Sequence, residues 1–116
     1  MAVDDTIYKI CTAGEWRAAE QAGSFAGSAV DLRDGYIHFS TAAQAAETAQ
    51  KHFSGQRDLV LVAVDAAALG ANLKWEPSRG GALFPHLYGA LAVKAVGSVA
   101  PLPLDAEGRH VFPALK

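Results

Sequence analysis

Three pairs of side chains in this 116-residue chain have the types and spacing for acid–base chemistry: His38 with Ser40, Lys74 with Glu76, and His86 with Tyr88. The members of each pair stand two residues apart, which in an extended chain places them on one face. A histidine gives or takes a proton near neutral pH. A glutamate beside a cation keeps its charge and can polarise a hydroxyl or stabilise developing positive charge. On one side of a sheet, the three pairs would line a polar cleft. Each also has a plainer account: a satisfied strand histidine, a solvated Lys and Glu face, a core tyrosine.

The stretch that must position them runs from Gly35 to Thr41, Gly-Tyr-Ile-His-Phe-Ser-Thr. As one strand it points Tyr36, His38 and Ser40 one way and Ile37, Phe39 and Thr41 the other. Thr41-Ala-Ala-Gln44 then fits a capping box and predicts a helix over 42–53, closed by Gly55. Ala42, Ala45, Ala46, Ala49 and Phe53 form its small-residue stripe. Amides at its N-terminus favour an anion beside His38 and Ser40.

The other elements come in chain order. Thr6 to Cys11 reads as a first strand with Tyr8 and Lys9 on opposite faces. Thr12-Ala-Gly-Glu15 is a second capping box, starting a short helix that carries Trp16 into the core and ends at Gly23. Residues 24–34 keep no period and read as a loop. Leu59 to Val64 is a continuous apolar run, hence a buried central strand, and Asp65 caps a single turn that Gly70 stops. Leu73 to Glu76 alternates as a strand that Pro77 should end, and Ser78 to Gly81 is a turn bearing Arg79. Phe84 to Gly89 is a dense aromatic cluster. Val93 to Val99 reads as a strand with Gly97 as a bulge. Pro101 and Pro103 confine the remainder to an edge or an extended tail, which His110 and Phe112 tuck down. The class is α+β, helices early and strands late, with 1–116 expected to be one domain.

Hydrophobic residues make up 51% of the chain and charged residues 19%, which argues against disorder. A net charge of -2 without a basic run argues against an extended nucleic-acid surface. The single cysteine, Cys11, cannot close an internal disulfide or supply a multi-cysteine metal site; it is expected to be a small buried residue in a reducing compartment. Met1-Ala-Val-Asp-Asp lacks the marks of a signal peptide, and no apolar run nears the ~20 residues that span a bilayer. The expected location is therefore cytoplasmic, with no membrane partner. His38, His86 and Glu76 have the types of a facial metal triad but no local two-ligand spacing, and no metal is expected. A Ser40, His38 and Asp triad lacks the Gly-x-Ser-x-Gly elbow.

Tyr8-Lys-Ile, Glu15-Trp, Ile37-His-Phe-Ser-Thr, Lys74-Trp-Glu-Pro and Phe84-Pro-His-Leu-Tyr-Gly together resemble the bacterial and plant family of unknown function numbered 952. That family is grouped with the ADP-ribosyltransferase-like proteins, so the resemblance implies a split, bent β structure whose cleft binds NAD in active members. His38 would stand where the transferases stack a tyrosine on nicotinamide, and Glu76 would correspond to their catalytic glutamate. Lys9 stands where a ribose-holding His or Arg is placed, and it is a point charge without their fixed donor geometry. The resemblance implies Glu76 and His38 as catalytic residues, with Tyr8, Lys9, Ser40, Thr41, His86 and Tyr88 as ligand-binding ones. The partner would be a nucleotide or small anionic metabolite, with no required cofactor and NAD as a substrate. The alternative is a module that binds such an anion in the same cleft without turning it over.

Overall fold

The computed structural model describes residues 6–115; residues 1–5 and 116, and the side chain of Arg79, lie outside the described residues. The N-terminal segment and the turn cation named above therefore lie outside them too.

Strand β1 (Thr6–Thr12) leads into helix α1 (Ala13–Ala22) through the expected capping box. Glu15 N donates to Thr12 Oγ1 at 3.0 Å, and Thr12 N donates to Glu15 Oε1 at 2.9 Å. Two of the orphan donors at the junction are thus satisfied locally. Trp16 and Ala19 are buried, and Gly23 closes the helix.

Residues 24–34 are not the expected loop. They form β2 (Ser24–Phe25) and α2 (Ala29–Asp34). A helix of 6 residues is too short to display a period of 3.6, and its start is an Asp variant of the capping box, with Ser28 N donating to Asp31 Oδ2 at 2.8 Å.

The 36–41 stretch is a strand in two pieces. β3 (Ile37–His38) pairs with the later strand 82–87, whereas β4 (Ser40–Thr41) pairs with β1. Phe39 makes the crossing, tied by its N–H to Pro85 O at 3.0 Å. Helix α3 (Ala42–His52) starts at the Thr41 and Gln44 capping box. Its buried face is centred on Ala45 and Ala49 and turned toward half-buried Thr48, so Ala46, expected in the stripe, is in solvent.

β5 (Leu59–Asp65) is central in the first sheet, with β1 on one side and the last strand, β9 (Val96–Leu102), on the other; the order is β4-β1-β5-β9. β6 (Leu73–Ser78) and β7 (Ala82–Leu87) form a hairpin in a second sheet, β3-β7-β6. Contrary to expectation, Pro77 does not stop pairing but stands opposite Leu83. β6 is an edge strand, where a residue without an N–H costs no ladder bond on its open side. β8 (Leu91–Ala92) pairs with β2, and β9 begins later than expected because Val93–Ala95 forms a 3₁₀ turn. Gly97 sits at the register shift opposite Ala63 and Val64, as its bulge role requires. His110 Nε2 lies 2.8 Å from Gln56 O, and Phe112 packs on the second of two apolar clusters.

The architecture is α+β with antiparallel sheets. The first cluster, including Ile7, Phe25, Ile37, Phe39, Val62 and Leu87, joins residues of all three sheets; the second, including Tyr8, Ile10 and Leu61, packs with Ala49 of α3. Among the described residues no helix is long and apolar enough to cross a membrane.

Gly27 has φ +123, and a Cβ there would stand 2.8 Å from Asp31 Cβ. Gly27→Ala is expected to cost roughly 2–3 kcal/mol in urea unfolding, combining backbone strain with a clash. Gly14→Ala, which meets nothing within 4 Å, should stay within about 0.5 kcal/mol of the parent.

Candidate functional site

The registers of the second sheet put the site together. His38 is opposite His86, which on its other side is opposite Lys74; the adjacent row is Ile37, Leu87 and Leu73. Directly opposed residues share a face. One row is therefore imidazole and ammonium, while the other is apolar and faces the core.

Between the two histidines lies Tyr36. Its ring stacks on His86 with centroids 4.2 Å apart, stands 4.7 Å from His38 and 5.2 Å from Tyr88, and the two imidazoles are 5.5 Å apart edge to face. Glu76 Oε1 accepts from His86 Nδ1 at 2.7 Å and from the Tyr88 hydroxyl at 2.8 Å. Those two hydrogen bonds outweigh desolvation and hold the Glu76 carboxyl below its ordinary range. The bond to Glu76 pushes the Tyr88 phenol up to about 12, so Tyr88 is a donor and not a base. With Nδ1 carrying the proton that Glu76 accepts, the lone pair of a neutral His86 ring is on Nε2. Glu76 is thus the partner of His86 and Tyr88, and among the described residues it makes no ion pair with Lys74.

His38 is gripped on both sides. Its Nδ1 is 2.6 Å from Asp31 Oδ1 and its Nε2 is 3.0 Å from Asp34 Oδ2. Ionised carboxylates only accept, so this geometry suits a ring that donates from both nitrogens. Asp31 is 1% exposed and also accepts from Lys9 Nζ at 2.7 Å, Ser28 N at 2.8 Å and His38 N at 3.1 Å. Burial works to raise its carboxyl, but the His38 hydrogen bond and the Lys9 charge overcome it and bring Asp31 down to about 2. Lys9, itself buried, has its ammonium committed to Asp31.

A cleft of about 420 Å³ opens on this face. Tyr8, Lys9, His38, Ser40 and His86 line it, with Ile10, Phe39, Phe53 and Phe84 as its apolar wall. Ser40 Oγ is 2.8 Å from Thr48 Oγ1. Glu76 and Tyr88 do not line the cleft; they reach it only through His86. Thr41 does not line it either, because its hydroxyl caps α3 by accepting from Gln44 N at 3.3 Å. Burial pushes the Cys11 thiol up to about 12, which leaves it an inert core residue.

Asp31, Arg33, Asp34 and Tyr36 belong to the site without standing among the candidates that the sequence offers. The available signals are Ser28 three residues before Asp31 and Asp34 four before His38, both obscured by the lack of any sustained period over 24–34.

Residues 10–99 match the family described as "Protein of unknown function (DUF952)". The chain belongs to this family. It is similar to protein CC0527 from Caulobacter crescentus: the crystal structure is 57% identical, with 91% of this chain and 93% of that chain covered and a TM-score of 0.89. The solution NMR structure of CC0527 is 58% identical over 90% of each chain, with a TM-score of 0.82. No curated protein matches the chain.

Removing Asp31 would strand the buried Lys9 ammonium. Asp31→Ala is expected to cost roughly 3–5 kcal/mol, and adding Lys9→Met should recover part of the loss, giving a coupling of about 1–3 kcal/mol in a double-mutant cycle. Additive losses would show that the pair is not coupled. The acid limb of stability has a defined sign. The Asp31 carboxyl lies at about 2 in the fold against 3.8 free, so its contribution is complete above about pH 4 and is lost as pH falls through about 2. Urea midpoints should show about 1–2 kcal/mol of this acid loss absent from the Asp31→Ala, Lys9→Met double variant.

Proposed function

We propose that this DUF952 chain takes NAD or an ADP-ribose-like nucleotide into the cleft and transfers or hydrolyses its ribosyl group, on an ADP-ribosyltransferase-like architecture. The observation that supports the reading most is the facing pair His38 and His86, each with Nδ1 held by a carboxylate, on the wall of one cleft. A cleft of about 420 Å³ is within the range of roughly 300–1,000 Å³ typical of small-molecule sites. In the hydrolytic form, water attacks the ribose carbon, the bond to nicotinamide breaks with its electron pair, and the proton released by water passes to His86 Nε2. His38 holds the ribose or base. Glu76 is a positioning residue that orients His86 through Nδ1, and Ser40 and Tyr8 complete the polar wall.

One observation favours the binding-module reading. The charges that a nucleotide site would use are already partnered inside the chain: the Glu76 carboxylate, which an oxocarbenium-like centre would need, by His86 and Tyr88, and the Lys9 ammonium, which would hold the ribose, by Asp31. On that reading the same cleft holds a small anionic metabolite without turnover.

Titration with NAD, ADP-ribose and nucleoside monophosphates, followed by amide chemical shifts, tests both. Perturbations are expected at 40–44 and 86–89, with dissociation constants in the high micromolar range or weaker, about 5 kcal/mol or less. Chromatography of the NAD samples should show nicotinamide released by the parent and not by His86→Ala. Binding without product supports the module; unmoved amides at millimolar ligand exclude the nucleotide reading.

A further inference from the structure

The carboxylate of Asp34 is held by two side chains at the cleft: Arg33 Nε at 3.0 Å on Oδ1 and His38 Nε2 at 3.0 Å on Oδ2. All three residues line the cleft. We propose that Asp34 occupies an anion subsite, standing between Arg33 and His38 where a carboxylate or phosphate group of the ligand binds. The inference rests on the reading of the cleft as a binding site and assigns the end of it that takes the ligand's charge.

The two carboxylates on His38 differ in a way that fits this role. Asp31 is buried and fixed by donors from three segments, whereas the Asp34 side chain is 31% exposed and ends α2 just before Gly35, at φ 88. Withdrawing Asp34 leaves the His38 ring oriented through Nδ1, while Nε2 becomes a donor aimed at the cleft. The Arg33 side chain is 72% exposed, and its planar fork presents further N–H donors suited to two oxygens of one anion. An exposed ion pair between neighbouring residues is a weak contact, so a ligand anion making charge-assisted bonds to both donors can displace it. Phe39 and Phe84, also in the cleft wall, would receive the apolar part of the same ligand. Asp34 thus lowers the affinity of the resting chain for anions, because an internal carboxylate competes at high effective concentration.

The test uses the full chain, with inorganic phosphate and ADP-ribose as probes, and monitors the His38 ring nitrogens and the backbone amides by NMR. Asp34→Asn, a near-isosteric change at a half-exposed position, is expected to bind both probes about tenfold more tightly than the parent, with the His38 Nε2 resonance moving on addition of either. Arg33→Gln is expected to weaken binding in both backgrounds. If ADP-ribose moves the 40–44 and 86–89 amides in all variants, but Asp34→Asn binds no tighter and the His38 nitrogen stays still, the subsite is wrong and the cleft reading stands. If neither probe perturbs the parent or either variant, the cleft reading fails and the subsite with it. Phosphate that binds more tightly to Asp34→Asn and is insensitive to Arg33→Gln also overturns the assignment, since it binds elsewhere.

Discussion

The Asp31 carboxylate is the contact on which the rest of the arrangement depends. It is a buried charge, and taking a carboxylate out of water costs several kcal/mol unless donors replace the lost hydration. Four do so: Ser28 N at the start of α2, Lys9 Nζ from β1, and the backbone N and ring Nδ1 of His38 from β3. Three segments of the chain are thereby held at one point. A 6-residue helix has little stability of its own, so α2 persists because its first turn is anchored here. The same anchor sets the ring orientation of His38 and places Asp34 and Arg33 at the cleft. It also explains why Gly27 must lack a side chain where the backbone passes Asp31.

The second constraint is the crossing at Phe39. Within five residues the chain leaves β7 and joins β1, so the sheet carrying the histidines and the sheet carrying Lys9 are stitched along one seam. Phe39 is 2% exposed and packs in the first core, while its N–H stays bonded to Pro85 O, so changing sheets leaves that donor satisfied. The cleft opens along this seam. Residues of β1, β3, β4 and β7 contribute to its walls, and sheet pairing is how polar groups can be held in fixed mutual geometry.

Around His86 the electrostatics are short-range and mutually reinforcing. Glu76 is lowered because His86 and Tyr88 donate to it, Tyr88 is raised because it donates to Glu76, and Tyr36 is raised first by burial and then by the charges of Asp34 and Glu76. Tyr36 and Tyr88 thus remain neutral phenols around a histidine whose tautomer is set from behind. Tyr36 is thus a stacking platform and Tyr88 a donor behind His86, the one ring of the three that lines the cleft.

What the sequence determined by itself is what depends on residues within about four positions of each other or on a sustained period. The two capping boxes at Thr12 and Thr41, the apolar run of β5 and the Gly97 bulge are all legible for that reason. The α+β class comes from the same signals. Tertiary structure alone decided that Lys9 would commit its charge to Asp31, that the 36–41 strand would divide between two sheets, that Thr48 and not Ala46 would turn inward, and that Pro77 would stay paired on an edge. In each case the deciding partner is supplied by a different element or a distant part of the chain. The preference of one residue then loses to the larger cost of leaving a buried charge or backbone group without a partner.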